Sequence, residues 1–220
     1  GQAGDHNVVL EANDGNGGVT QQTFTITVVP PVLWDGSESD DWNDPNNWST
    51  GTVPSLSNYI TIPSGMPNYP IYSGALSVNT LIINSGASFV SKNITSFTGT
   101  VTHKRNINYI AGNSNGWYLM ASPVSGETYE DEFVTANDIA ESGANRAISW
   151  YNTSTNTWSY MQEGGSGTFT QGQGYSMKRG TNSGSGNISF EGGLNIDDNG
   201  VNIALSSQGL RFNLLGNPYT

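Results

Sequence analysis

The chain has 220 residues, no cysteine, 28 glycines and a formal net charge of −11. The lack of cysteine excludes a disulfide framework and thiolate metal sites, and the acidic balance disfavours binding to nucleic acids and to anionic membranes. Only 11% of the residues are charged, and the many Asn, Ser, Thr and Gly residues favour turns and sheet faces over long helices. We therefore expect an all-β protein, built from β-sandwich modules, short β-helix-like modules or both. No apolar run is long enough to cross a bilayer, so no membrane insertion is expected.

The first predicted element is a hairpin in residues 8–29. Apolar residues alternate with polar ones on both sides of residues 13–18 (NDGNGG), which tolerate the positive φ of a hairpin turn. Residues 10–18 and 24–28 resemble the last two strands of cadherin-like or Ig-like domains. Residues 1–29 are therefore interpreted as the terminal hairpin of such a domain, followed by a proline-containing linker at residues 30–33.

Three tryptophans mark the next segment. The sequence reads WDG at 34–36, DW at 41–42 and NNW at 46–48, followed by proline at 54 and IP at 62–63. We expect the three indoles to be buried over the end of a sheet stack, where each N–H needs a hydrogen-bond partner. The pattern resembles a recurring module entrance in large secreted proteins of the Bacteroidota, and residues 34–110 are interpreted as one Trp-rich β module.

Short apolar stretches follow in residues 75–101. The side chains expected to point inward are Leu76, Val78, Leu81, Ile83, Ala87 and Phe89. An Asn-Ser-Gly turn at 84–86 interrupts them. The pattern fits coils of a parallel β-helix as well as strands of a sandwich, and both alternatives stay open at this point.

Residues 111–220 are interpreted as a second β-sandwich-like module that is truncated at its C-terminus. Residues 117–123 (WYLMASP) and 212–218 (FNLLGNP) share one plan, which predicts a buried strand ending in a turn fixed by proline. Further strands are expected at 148–152, 158–161, 174–178, 188–190 and 201–205. One helix is expected at 130–141, with acidic residues in its first turn as the helix dipole favours.

This second module resembles the C-proximal modules of Bacteroidota proteins exported by the type IX secretion system. The segments that carry the likeness are GWYL at 116–119, SPV at 122–124, GQGY at 172–175 and FNLLGNPY at 212–219. Such proteins include adhesins, gliding-associated proteins and large polymer-degrading enzymes. The resemblance implies an extracellular, cell-surface location, and we expect the chain to be an internal segment with neighbouring domains in a longer protein.

Two patterns of catalytic type are present, but neither predicts an enzyme. GNSNG at 112–116 has the spacing of a nucleophile elbow, yet a strand follows it where the elbow needs a helix, so a turn is expected. The acidic residues at 127–132 and at 40–44 have no identified partner across a cleft, so solvated loops are expected. His6 and His103 stand without any cysteine, which argues against zinc.

Calcium is the one cofactor that the sequence favours. Asp35, Asp40, Asp41 and Asp44 lie in one turn-rich loop and offer the oxygen ligands that Ca²⁺ prefers, although their spacing is not that of an EF-hand. Asp14 lies in the hairpin loop, where the resemblance to cadherin-like repeats implies a calcium ligand at a domain junction. A structural calcium ion is therefore an expectation for these two loops.

Four aromatic residues are the candidate carbohydrate-binding site. Trp150 and Tyr151 precede a predicted turn, and Trp158 and Tyr160 follow it. Flat rings can stack on pyranose rings where they share an exposed face of a sheet. Packing of the same rings into the core is the interpretation that the sequence favours, and the sugar-binding face is the alternative.

These patterns favour a non-catalytic segment of a secreted, cell-surface bacterial protein with an adhesin or surface-recognition role. The expected partners are polysaccharide or other cell-surface components. The alternative is an accessory module, for carbohydrate binding or spacing, of a secreted polysaccharide-degrading enzyme whose catalytic domain lies outside this chain.

Overall fold

The computed structural model describes residues 3–55, 59–196 and 200–219, and it has the all-β fold that the composition predicts. In chain order the strands are β1 (Gly4–Asn13), β2 (Val19–Val28), β3 (Val32–Leu33), β4 (Tyr59–Ile62), β5 (Ile71–Ile83), β6 (Val90–Asn106), β7 (Trp117–Met120), β8 (Val124–Ser125), β9 (Thr128–Tyr129), β10 (Glu141–Ser142), β11 (Asn145–Asn152), β12 (Thr157–Gln162), β13 (Gly167–Thr168), β14 (Tyr175–Lys178) and β15 (Asn187–Leu194). A 3₁₀ turn (Pro45–Asn47) and the helix α1 (Asp131–Ala136) complete the regular elements of the described residues.

The predicted hairpin at the start of the chain is confirmed. β1 and β2 pair antiparallel over their full length and form a two-stranded sheet of their own. Val8 lies opposite Phe24 on one face, while Asn7 lies opposite Thr25 on the other. The hairpin therefore has an apolar face and a polar face, as the alternation in the sequence indicates, and almost all of its residues are exposed.

Parallel strands form the first part of the six-stranded sheet. β3, β4, β5 and β6 lie side by side in that order and pair parallel, and β15 and β8 continue the sheet antiparallel. Ile60 lies opposite Leu81, and Leu81 lies opposite Val101, so the chain advances by about 20 residues per coil, a period typical of solenoid repeats. Of the two alternatives for residues 75–101, this pairing matches the β-helix.

The inside of these coils is a stack of side chains from successive strands. One row contains Val32, Ile60, Leu81 and Val101, and the next contains Ile62, Ile83, His103 and Phe190. All of them are buried. His103 is the polar member of the second row, at the position where the two preceding coils carry isoleucine.

Trp34, Trp42 and Trp48 form a tryptophan cap over this core, and their predicted burial is confirmed. The Trp48 ring packs edge-on against both others, with ring centroids 4.9 Å from Trp34 and 4.6 Å from Trp42. The Nε1 atoms of Trp34 and Trp48 each donate a 2.8 Å hydrogen bond, to the Asn68 and Trp42 carbonyls respectively. Gly36 is required beside them, because a Cβ at that position would lie 2.2 Å from the Asn68 oxygen.

The side chain of Asn47 organises the loop that carries the cap. Asn47 is fully buried. Its amide oxygen accepts hydrogen bonds from the Glu38 and Ser39 amides, and its nitrogen donates to the Ser39 hydroxyl and the Asp41 carbonyl, each at 3.0 Å. Four bonds use the full capacity of a side-chain amide. The centre of the loop is therefore filled by a neutral group.

The second sheet runs in the order β7, β14, β11 and β10, and β12 also pairs with β11. The predicted strands at 148–152, 158–161, 174–178 and 188–190 are confirmed by these elements and by β15. Its inner face places Ile148, Tyr175 and Met177 in the same buried cluster as Phe169 and Phe190. The two sheets thus share one core.

The helix prediction is correct in place but wrong in length. α1 has acidic residues in its first turn, as expected, but it ends at Ala136 rather than continuing to residue 141. Asp138 adopts a positive φ of 51°, and Ile139 then forms a bridge to Arg179. The chain therefore leaves the helix to join the edge of the sheet.

Two strand predictions near the end of the chain are wrong. Residues 201–205 form no strand, and residues 212–218 make only one bridge, between Leu215 and Gln173. β14 is already paired on both sides, by β7 and β11. The bridge between Gln173 and Leu215 therefore does not extend along β14.

Candidate functional site

The aromatic residues of the β11–β12 hairpin separate onto the two faces of the second sheet. Tyr151 lies opposite Trp158, and Ser149 lies opposite Tyr160, so Tyr151, Trp158 and Tyr160 share one face. The Tyr151 and Trp158 rings meet edge to face with centroids 5.5 Å apart. Trp158 is 41% exposed and Tyr160 is 38% exposed. These rings are therefore accessible from solvent.

Trp150, the fourth residue of the predicted site, lies on the other face. It is half-buried against the core, and its ring centroid is 5.8 Å from that of Tyr129. The split follows from strand geometry, because neighbouring residues point to opposite faces. The structure thus brings together three of the four predicted residues.

Trp117, from β7, is half-buried and meets these rings at the edge of the sheet. Because β7 pairs with β14 and β14 with β11, Trp117 lies on the same face as Tyr160, and their ring centroids are 6.0 Å apart. Trp117 lies opposite Lys178, whereas Tyr160 shares its cross-strand row with Ser149, Ser176 and Leu119, so the two rings meet diagonally across the sheet. The aromatic face is defined here as the outer surface carrying Trp117, Tyr151, Trp158 and Tyr160. Trp117 was not foreseeable as a member, since the contact depends on strand register rather than on local sequence.

An apolar recess borders the aromatic face on one side. It measures about 250 Å³ and lies beside Tyr151 and Trp158, with Leu119, Phe212 and Leu214 on its other walls. Leu119 is 68% exposed, so the prediction that the segment at 117–120 forms a fully buried strand is wrong for this face.

A polar recess of about 260 Å³ borders the other side, next to Trp117 and Tyr160. Its polar lining residues are Asn113, Glu141, Ser142, Asn145, Arg146 and Lys178. The aromatic face therefore lies between an apolar wall and a set of hydrogen-bonding groups. This combination is typical of sites that fix the orientation of a small ligand.

The two cations of the polar recess are already engaged. The buried Arg146 guanidinium lies 3.4–3.6 Å from carboxylate oxygens of Asp131, Glu141 and Glu163. The Lys178 ammonium donates 2.6 Å hydrogen bonds to the carbonyls of residues 110 and 115 and so holds the GNSNG turn in place. The recess thus offers hydrogen-bonding groups without an unpaired positive charge.

The carboxylates proposed for calcium lie in exposed turns that they cap themselves. Asp35, Asp41 and Asp44 each accept a hydrogen bond from the backbone amide two residues on. Asp14 accepts from the amides of residues 16 and 18, and these bonds hold the pKa of its carboxyl below the usual value. Asp40 is exposed. Among the described residues no group of three or more His, Asp or Glu side chains is arranged to hold a metal ion, and calcium binding stays a prediction.

The acidic residues near α1 border a third recess, of about 570 Å³, which contains Glu127, Glu130, Glu132 and Glu191. Partial burial raises the pKa of Glu127, while hydrogen bonds from the amides of Glu191 and Thr128 oppose that rise. The GNSNG segment forms the expected turn, with β7 directly after it. It has no helix behind it and so lacks the geometry of a nucleophile elbow.

Comparison with protein-family models, with curated proteins and with solved structures found no match for this chain. Among the described residues no helix has the length and apolar character needed to span a membrane.

Proposed function

We propose that this chain is a non-catalytic recognition segment of a secreted, cell-surface bacterial protein and that it binds polysaccharide through the aromatic face. The observation that carries the proposal is the placement of four rings from three strands on one face of the second sheet. Trp158 and Tyr160 are exposed on this face, and Trp117 and Tyr151 are half-buried beside them. Exposed aromatic rings on a sheet are rigid, so they lose little conformational entropy when a sugar ring stacks on them.

The chemistry beside the rings supports an uncharged, hydroxyl-rich ligand. Asn113 and Asn145 line the polar recess, and side-chain amides both donate and accept hydrogen bonds. Arg146 is surrounded by three carboxylates, so it does not add a free positive charge. Neutral pyranose chains match this surface better than polyanions do, and the net charge of −11 acts in the same direction.

An adhesin segment and an accessory module of a polysaccharide-degrading enzyme would use such a face in the same way. The two differ in what the rest of the gene encodes: repeated β modules support the adhesin, and a catalytic domain supports the accessory module. The adhesin role is preferred here because a hairpin of cadherin-like pattern precedes two sheets that share one core, and all-β segments of this kind are typical of surface proteins.

A polysaccharide panel tests the proposal. Algal, plant and bacterial polysaccharides are titrated into the chain by calorimetry, in calcium and again in chelator. For the ligand that binds, Trp158→Ala is expected to weaken binding by about 2 kcal/mol, or roughly thirtyfold, as for an aromatic anchor. Tyr59→Ala is the matched control, since Tyr59 is an exposed aromatic residue on β4, outside the aromatic face.

The proposal fails if no polysaccharide binds, or if Trp158→Ala binds as tightly as the wild type. Equal losses in Trp158→Ala and Tyr59→Ala would also count against it, because the effect would then not be specific to the face. Binding that is present in calcium and lost in chelator, whatever the residue at position 158, would instead assign calcium-dependent binding to the loops of Asp14 and Asp35.

A further inference from the structure

A cavity of about 430 Å³ lies between the solenoid coils and the edge of the second sheet. One wall carries His103 and Arg105 from β6, with Ser88 beside them, and the opposite wall is formed by residues 119–123 and 214–219. Its volume falls within the range of small-molecule sites, roughly 300–1,000 Å³. This space is called the His103 cavity below.

The final segment of the described chain is held firmly as one wall. The Gly216 amide donates a 2.9 Å hydrogen bond to the Gly172 carbonyl. The buried Asn195 side chain donates to the carbonyls of Pro123 and Pro218 and so ties together the two segments that form this wall. The cavity is therefore built from hydrogen-bonded backbone and does not depend on loose side chains.

Two polar groups on its inner wall lack partners. His103 is only 4% exposed, and its Nδ1 atom is buried without a hydrogen-bond partner among the described residues. Arg105 forms no ion pair within the described part of the chain, whereas Arg146 and Arg179 are both paired with carboxylates. A buried unpaired nitrogen is costly, and the exposed Arg105 guanidinium has no ion pair to break before it binds a ligand. Both groups are supplied with a partner if an anion enters.

The charge balance of the cavity sets the kind of anion. No aspartate or glutamate lines it, and Arg105 is its one fixed cation among the described lining residues. Burial, together with the Arg105 charge, lowers the pKa of His103 to about 4, so the imidazole is neutral at pH 7. A neutral imidazole both donates and accepts hydrogen bonds. One guanidinium with a neutral imidazole suits a single carboxylate with an adjacent hydroxyl, because guanidinium binds carboxylate in a bidentate manner.

The His103 cavity adjoins the apolar recess beside the aromatic face. Leu119 and Leu214 line both the His103 cavity and the apolar recess beside Tyr151 and Trp158. A glycan lying on these rings can therefore extend past the two leucines towards Arg105. A sugar acid is the glycan component that carries one carboxylate next to hydroxyl groups.

We propose that the His103 cavity binds the carboxylate of an isolated sugar acid within an otherwise neutral glycan, with Arg105 pairing with the carboxylate and His103 hydrogen-bonding an adjacent hydroxyl. The proposal rests on the proposed polysaccharide binding and narrows its ligand class. The strongly acidic protein would repel a polyanion, so the acid is a single substituent rather than a repeating one.

Two matched probes, methyl glucuronide and methyl glucoside, test the cavity. The glucuronide carries a carboxylate where the glucoside carries a hydroxymethyl group. In NMR titrations the wild type is expected to bind the glucuronide more tightly than the glucoside and to shift the His103 imidazole signals. Arg105→Gln is expected to reduce glucuronide affinity about tenfold or more, since it removes a charge-assisted hydrogen bond. Lys104→Gln is the control, because it removes the same charge from the neighbouring residue, which does not line the cavity.

Each outcome separates this inference from polysaccharide binding itself. Equal binding of both probes, or an Arg105→Gln variant as selective as the wild type, overturns the sugar-acid site even if polysaccharide still depends on Trp158. Glucuronide binding that requires Arg105, in a chain that binds no polysaccharide, keeps the cavity and overturns the proposed function. Arg105 is exposed, so its replacement is expected to leave the fold intact.

Discussion

The tryptophan cap and the aromatic face show two opposite outcomes for aromatic residues in one chain. The cap tryptophans come from a loop that turns their rings inward, where the backbone carbonyls of Asn68 and Trp42 accept hydrogen bonds from Trp34 and Trp48. Trp158 and Tyr160 come from one strand, two residues apart, so strand alternation places both on the same side. Exposure of a ring is thus decided by the backbone that carries it, and only the second group is available for a ligand.

Replacing a cap residue gives the largest expected effect. Trp42 is buried and packs against Trp48, Tyr72 and Phe89, with centroids 4.6–5.6 Å away. Trp42→Ala is expected to lower the free energy of unfolding by about 3–5 kcal/mol, the cost of a large cavity in a core. Urea denaturation followed by circular dichroism measures it. A loss below about 1 kcal/mol would show that the cap is not part of the core.

Replacing Asn47 tests whether its side-chain amide stabilises the loop that carries the tryptophan cap. Asn47→Ala removes four hydrogen bonds and leaves partly buried backbone groups without a protein partner, so a loss of about 2–4 kcal/mol is expected. Asn46→Ala is the matched control, since the neighbouring side chain is exposed. Similar unfolding curves for the two variants would contradict an organising role for Asn47.

His103 makes the solenoid core sensitive to acid. Its folded-state pKa of about 4 lies below the ordinary 6.5, so the unfolded chain binds the proton first as pH falls. The associated stability is complete above pH 6.5 and declines towards pH 4, by on the order of 3 kcal/mol. His103→Leu is expected to remove this decline, because leucine has no group that binds a proton. The variant is expected to fold, because leucine fits a row that otherwise contains isoleucine and phenylalanine.

Unfolding free energies of the wild type and His103→Leu, measured between pH 7 and pH 4, check this expectation. The difference between the two curves isolates His103 from the carboxyl groups that titrate in the same range. His6→Gln, on the exposed hairpin, serves as the control and is expected to keep the wild-type profile. Parallel curves for the wild type and His103→Leu would show that His103 is not desolvated in the folded protein.

The sequence was enough to predict the features that depend only on neighbouring residues. Alternation predicted the first hairpin and most strands of the second sheet, and the size of the indoles predicted the burial of the cap. The length of α1 was not predictable, because it ends where Ile139 bridges to the distant Arg179. The place of His103 in the core row and of Trp117 on the aromatic face depends on register between strands far apart in the chain, for which one sequence carries no signal.

The smallest expected effect is the change in the free energy of unfolding caused by Trp158→Ala. Its size decides how the binding experiment is interpreted. Trp158 is 41% exposed, and its main contact is the cross-strand ring of Tyr151. Such pairs contribute roughly 0.2–1 kcal/mol, so Trp158→Ala is expected to unfold within about 1 kcal/mol of the wild type, far from the loss in Trp42→Ala. A weaker polysaccharide complex then reports the lost stacking surface. A loss as large as that of Trp42→Ala would place Trp158 with the cap tryptophans as a structural residue, and the aromatic face would need Trp117 and Tyr160 alone to hold a sugar.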